Sequence, residues 1–287
     1  MTAEPTEYGD QLAVVTVTYS PGETLERFIE TLAKATTRPV EVILADNGSV
    51  DGAPEAAATT HEHVTLVRTG GNLGYGSGAN RGVAELGPEY GWIVIANPDL
   101  EWGEGSLDEL LAATTRWPRG GSFGPLITER NGTVYPSARE VPSLGKGIGH
   151  AALGKVWPGN PWTRSYKQSA TSLTERVAGW LSGSCLLIRR SAWDSVDGFD
   201  SRYFMYFEDV DLGERLTQTG WQNIYVPTAK VMHIQGVSTA KSSNVMLKAH
   251  HDSAYRYIAD HHQGPLWAPL RWAVRAGLAL RLRIESR

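Results

Sequence analysis

"LAVVTVTY", residues 12–19, is followed almost at once by "GETLERFIETLAKA", residues 22–35. The first stretch is a short apolar run rich in β-branched residues, the composition of a strand covered on both faces. The second sets Leu25, Phe28, Ile29 and Leu32 at helical spacing. Strand then helix is the reading, and it recurs three times. "VEVILADN" precedes "DGAPEAAAT", "VTLVRT" precedes "SGANRGVAEL", and "WIVIANPD" precedes "SLDELLAATTRW". Four alternations predict an α/β fold with a mostly parallel sheet flanked by helices. Ligands of such sheets sit at the carboxyl ends of the strands, which here read "TYSPGE", "ADNGSVDG", "TGGNLGYGSG" and "ANPDL".

From about 120 to 176 the alternation stops and Gly, Pro, Trp and Ser dominate, which reads as long loops over the sheet edge. A second ordered block follows: "GWLSGSCLLIRR" as one strand, "SAWDSVDGF" as a short helix, then "YFMYFEDVDLGERL" and the strand "NIYVPTAKVMHI". In the last 24 residues Trp267, Leu270, Val274 and Leu278 recur at helical spacing among Arg271, Arg275, Arg281, Arg283 and Arg287. That describes an interfacial helix or, equally, one packed on the domain.

With 27 basic against 31 acidic residues over 287, the net charge of −4 supplies no global basic field, so nucleic acid is not expected as a partner. Cys185 is the lone cysteine, which excludes an internal disulfide and thiolate metal clusters. The acidic, proline-bearing start "MTAEPTEYGDQ" lacks the features of a secretory signal, and no apolar run reaches spanning length, so a cytoplasmic location is expected.

Four motifs bear chemistry. In "ADNGSVDG", Asp46 and Asn47 form a plain turn or present Asp46 to a nucleotide base or ribose. Gly74, Gly76 and Ala79 have G-x-G-x-x-A spacing, which suits a dinucleotide or any diphosphate at a helix start. Asn97-Pro98-Asp99 ends a buried strand; its oxygens can hold Mg²⁺ or Mn²⁺ against phosphate, or simply start a turn. His233 joins that ion only if it lies within about 4 to 5 Å of Asp99. In "FEDVDLGERL", Asp211 and Arg215 form an i, i+4 pair and Asp209 a cap, which leaves Glu208 and the aromatic run unexplained. A carboxylate among rings loses solvation and becomes a better base near neutral pH. Arg189 and Arg190 read equally as a phosphate-steering pair or a solvated strand end.

"TVTYS", "ADNGSVDG", "GNLGYGSGANRG", "ANPDL", "WLSGSCLLIRR", "FMYFEDVDL" and "MHIQGVS" occur here in one order. That combination resembles the inverting family 2 glycosyltransferases of GT-A fold, with the nearest likeness to rhamnosyltransferases acting on polyprenyl-diphosphate-linked GlcNAc. The resemblance implies a Rossmann-like GT-A domain over 1–240, with a nucleotide-sugar half at about 12–119 and an acceptor half at about 120–240. A C-terminal helical extension, 241–287, would follow, with peripheral contact at the inner face of the plasma membrane; a homo-oligomer is left open. It implies that Thr18, Tyr19, Ser20, Asp46 and Asn47 line base and ribose, and that Asn72, Gly74, Tyr75 and Asn80 flank the sugar-nucleotide, dTDP-L-rhamnose or another nucleotide-sugar. Asp99 and His233 would hold Mg²⁺ or Mn²⁺, while Asn97 stands where the family's D-x-D has its first acid and would contact nucleotide. Asp209 matches the general base, with Glu208 orienting it or the acceptor, and Trp180, Ser182 and Gly183 fall on the acceptor wall.

Overall fold

The computed structural model describes residues 8–141, 173–234 and 243–285. The four strand-helix pairs form as the pattern requires. They are β1 (Gln11–Thr18) with α1 (Thr24–Ala35), β2 (Val40–Asp46) with α2 (Ala53–Thr60), and β3 (Val64–Arg68) with α3 (Tyr75–Val83). The fourth is β4 (Tyr90–Ala96), then the short β5 (Leu100–Trp102) and α4 (Ser106–Arg116). Then come β6 (Gly120–Glu129), β7 (Val134–Tyr135), β8 (Ala138–Arg139), β9 (Arg176–Ala178), β10 (Trp180–Leu181), β11 (Cys185–Arg189) and α5 (Arg190–Asp194). The described chain closes with α6 (Glu208–Gln218), β12 (Gln222–His233), α7 (Ser243–His261), a 3-10 turn at Pro265–Trp267, and α8 (Ala268–Glu285).

The main sheet runs β3-β2-β1-β4-β11-β6-β12-β5, with β7 on β6 and β9 on β12. β1 to β4 are mutually parallel where they pair, whereas β11 is antiparallel to both β4 and β6. The period of two divides each strand between two apolar layers. Leu12 and Val14 of β1 join the layer of Phe28, Leu32, Leu107 and Leu110, while Ala13, Val15 and Val17 join that of Ala79, Val83 and Trp193.

Three expectations change. The stretch from 120 is not loop at its start: β6 is a ten-residue central strand whose first eight residues are buried. Its glycines and Pro125 hide the apolar pattern, and Pro125 offers no N–H to a ladder. β12 accommodates this with a register shift between Val226, paired with Pro125, and Lys230, paired with Leu126. Residues 142–172 of that stretch lie outside the described residues. "GWLSGSCLLIRR" is two strands, because Ser182-Gly183-Ser184 turns the chain between β10, which pairs with β8, and β11. Arg189 pairs in register with Trp92 near the start of β4, at the end of the sheet remote from the β-strand carboxyl ends. There Arg189 lies 4.6 Å over the Trp92 ring and Arg190 pairs with Asp194 at 3.1 Å, so phosphate steering is not their work.

Candidate active site

The carboxyl ends of β1 and β2 are tied into one unit. The Thr18 hydroxyl donates to Asp46 Oδ1 at 2.9 Å, and Arg68 reaches Asp46 Oδ2 at 2.7 Å. The Ser49 N–H donates to both oxygens. Burial alone would raise the Asp46 carboxyl, but hydrogen bonds from Ser49, Thr18 and Arg68 outweigh it and hold it below the usual range. Asp46 is thus engaged on both oxygens, and a ligand that reaches it must displace Arg68. Ser20, in left-handed backbone (φ 51°), stitches the neighbouring loop: its N–H donates to Ser49 Oγ at 2.8 Å, and its hydroxyl accepts the Val50 N–H at 3.1 Å. Tyr19 projects from this unit, about half exposed.

The glycine-rich turn before α3 docks on the aromatic run. Asn72 Oδ1 accepts the Gly74 N–H at 3.1 Å, and Asn47 Nδ2 donates to the Gly74 carbonyl at 2.9 Å. Gly74 has φ 84°, and a Cβ there would stand 2.0 Å from the Phe204 carbonyl oxygen, so no other residue fits. The Tyr75 N–H donates to that same carbonyl at 2.9 Å. Gly76, in the first turn of α3, abuts Phe199 and Glu208. The first N–H of α3 is therefore taken by protein, and the turn holds residues 199–209 in place.

From Tyr75 a chain of contacts leads to the carboxylates. Its hydroxyl donates to the Gly183 carbonyl at 2.5 Å, and the Gly183 N–H donates to Asp209 Oδ2 at 2.9 Å. Asp209 and Glu208 open α6 behind Tyr206 and Phe207, two consecutive non-glycine residues in left-handed backbone (φ 69° and 67°). Such geometry costs about 1–3 kcal/mol per residue and turns the helix start inward. Glu208 is only 6% exposed, and its Oε2 has no hydrogen-bond partner among the described residues. Burial, reinforced by Asp209, pushes the Glu208 carboxyl up to about 8. Burial also raises Asp209, opposed by the N–H groups of Gly183 and Val210. The other two acids of the motif are anchors: Asp211 pairs with Arg215 at 2.7 Å, and Glu214 accepts the Tyr257 hydroxyl at 2.9 Å.

The end of β12 pairs antiparallel with β5, setting His233 beside Leu100 and so next to Asp99. His233 Nε2 lies 3.0 Å from Asp99 Oδ1 and 3.2 Å from the Asn97 amide nitrogen. Two donors 3.0 Å apart can each stand roughly 2.1 Å from one cation at close to a right angle. With the Asn97 amide turned over, its oxygen becomes a third donor at the same point. Imidazole, carboxylate and amide oxygen are donor types that would suit Mg²⁺ or Mn²⁺. This corner adjoins the carboxylates, because the Asn97 N–H donates to the Ser184 carbonyl at 3.0 Å, one residue from Gly183.

Three expected site residues face elsewhere. Asn80 donates to the Phe199 carbonyl at 2.7 Å and accepts the Phe199 N–H at 3.0 Å, so both ends of its amide pin backbone rather than flank a ligand. Trp180 is buried against Gly213 of α6, and its indole N–H donates to the Glu140 carbonyl at 3.1 Å. Ser182 is buried, with its N–H on the Ser137 carbonyl. Of the acceptor-wall set only Gly183 touches the carboxylates. Two arginines join the site unannounced: Arg68 on Asp46, and Arg139, whose charge favours ionised Asp209. Arg139 sits in the stretch read as loop, where no periodic signal marks it.

The model of "Glycosyl transferase family 2" matches residues 13–196. An N-acetylglucosaminyl-diphospho-decaprenol L-rhamnosyltransferase of Mycobacterium tuberculosis is 54% identical, with 97% of this chain and 94% of that protein covered. Rhamnosyltransferase WbbL of Escherichia coli K12 is 29% identical over 67% of this chain and 72% of its own. Among solved structures, the mannosyltransferase PcManGT from Pyrobaculum calidifontis, in complex with GDP-Man and Mn²⁺, superimposes with a TM-score of 0.59 at 17% identity, over 98% of this chain and 73% of that one. GalNAc-T7, with UDP, GalNAc and Mn²⁺, also gives 0.59, at 16% identity over 79% of this chain and 44% of its own. With a GT-A sheet, a glycine-rich turn locked to a buried acid pair, and a family model matching well over half its length, this chain belongs to glycosyl transferase family 2.

Proposed function

We propose that this glycosyltransferase moves L-rhamnose from dTDP-L-rhamnose to the GlcNAc of a polyprenyl diphosphate, at the inner face of the plasma membrane. The observation that carries the chemistry is the Tyr75–Gly183–Asp209 chain, which couples the donor-side turn to a buried base. The choice of substrates rests on the 54% identity to the mycobacterial enzyme.

Asp209 takes the proton from the acceptor hydroxyl as that oxygen attacks the anomeric carbon, and the nucleotide diphosphate leaves from the opposite face in one inverting displacement. Burial raises the basicity of Asp209, and the Gly183 N–H keeps it aimed. Glu208, carrying its proton at neutral pH, positions Asp209 without competing for the hydroxyl. Asp99, His233 and Asn97 would hold a Mg²⁺ or Mn²⁺ ion, which supplies charge neutralisation to the departing diphosphate. Thr18, Tyr19, Ser20 and the loop behind Asp46 form the base and ribose side. Label transfer from dTDP-rhamnose, compared with UDP-sugars, onto GlcNAc-diphospho-polyprenol tests the assignment; label from UDP-sugars alone overturns it.

A further inference from the structure

α8 packs on α7 through Leu270, Val274, Leu278 and Leu282, which are half-buried in one i, i+4 row. Trp267 remains 46% exposed although its ring lies 4.8 Å from that of His262. The apolar row that the sequence offers to a membrane is therefore used mostly inside the helical hairpin. The opposite face is not polar. Trp272, Ala276 and Leu280 form a second i, i+4 row that is open to solvent, with Pro269, Ala273 and Ala279 beside it. Trp272 is 72% exposed, Leu280 60%, and Leu266 in the preceding turn 92%. Arg275 is exposed beside the row, with its guanidinium 5.6 Å over the Tyr255 ring, and Arg283 is exposed on the same face one turn beyond Leu280. An outward helix face ordinarily carries charge; this one is apolar with a basic border.

We infer that this outward face of α8 docks on an anionic lipid bilayer. Trp272, Ala276, Leu280 and Leu266 enter the boundary between headgroups and acyl chains, while Arg275 and Arg283 meet lipid phosphates. Charge selects the bilayer over a second copy of the chain. Residues 264–287 hold five arginines and one acid in a protein of net charge −4, so two such faces would oppose arginine to arginine. Each arginine held near an anionic surface contributes about fivefold to binding.

The docking face is mechanically joined to the base. From α7, Ser253 donates to the Met205 carbonyl at 2.8 Å, Tyr257 and His261 hold Glu214, and Asp260 pairs with Arg202 at 2.9 Å. His250 lies against the rings of Tyr206 and Phe207. α7 thus links α8, on which the bilayer would dock, to residues 202–214 and Asp209. Resting on the proposed lipid-linked acceptor, this gives the acceptor a route that never leaves the membrane.

The test is co-sedimentation of the full chain with vesicles of phosphatidylcholine alone or mixed with phosphatidylglycerol. Binding is expected to the mixed vesicles, falling with salt, and at least about tenfold weaker for Trp272→Ser/Leu280→Ser and for Arg275→Glu/Arg283→Glu. Both variants should keep the parent's circular dichroism and its turnover of a short-chain, water-soluble acceptor, and lose turnover of the vesicle-embedded one. No binding by the parent, equal binding by both variants, or a parent dimer that Trp272→Ser/Leu280→Ser converts to monomer would overturn the inference. Failure of the parent on the soluble acceptor, with vesicle binding intact, counts against the substrate reading instead.

Discussion

Asp209→Asn removes the proton acceptor while keeping the size and shape of the side chain. Asp209 accepts the Gly183 N–H on Oδ2 and the Val210 N–H on Oδ1, each at 2.9 Å, and Asn, with one oxygen, keeps only one of these two bonds. What also disappears is the capacity to take a proton. General bases contribute about 10²–10⁴-fold. Here burial raises the basicity of Asp209 while two N–H donors reduce it, which favours the lower end of that range. The expected loss is about 100-fold in kcat, or about 2.7 kcal/mol at 1.36 kcal/mol per tenfold. The assay is the initial rate of labelled rhamnose transfer at saturating donor, with the donor Kd from calorimetry as the control. Parent-like turnover in the variant, or weakened donor binding with kcat intact, would refute the assignment of Asp209 as base.

Glu208→Gln replaces a carboxyl that still carries its proton while Asp209 titrates, so the acid limb of the pH–rate profile stays in place; a limb that moves to lower pH would mean Glu208 is ionised there and contradict its raised pKa. A carboxyl raised by folding adds stability that is full below its unfolded pKa and is lost as pH climbs through the folded value. Glu208→Gln should accordingly gain on the parent in thermal stability as pH rises toward about 8, and a constant difference across pH would contradict the burial argument. His233→Ala should weaken Mn²⁺ binding, followed by electron paramagnetic resonance, by at least about tenfold, and parent-like affinity would take His233 out of the ion site. Gly74→Ala forces a Cβ onto the Phe204 carbonyl in left-handed backbone, which destabilises by more than about 1 kcal/mol; an unchanged melting temperature would show that the turn yields freely.

Local periodicity was enough for the β1–β4 half of the sheet, because these strands and their helices carry the period-2 and period-3.6 patterns in their own residues. It failed at β6, where Gly120, Gly121, Gly124 and Pro125 break the apolar run, although β11 and β12 supply on either side the burial that the strand's own sequence does not announce. The chemistry types were legible too: Asp99 and His233 were worth pairing, and their 3.0 Å separation follows from the β5–β12 ladder. Which polar residues face a ligand was not legible. Asn72 and Asn80 look alike in the motif, yet Asn80 is turned onto Phe199, and Trp180 is buried beneath α6, since orientation depends on what packs from distant parts of the chain.

The sequence by itself determined which segments become strands and helices and which residue types gather at the strand ends, because those depend on neighbours a few residues away. Only the tertiary structure decided that Glu208 is desolvated, that Asp209 is held by Gly183, and that α8 turns Trp272 and Leu280 outward. Burial, pKa and exposure are properties of the surroundings, and residues far off in the chain supply them.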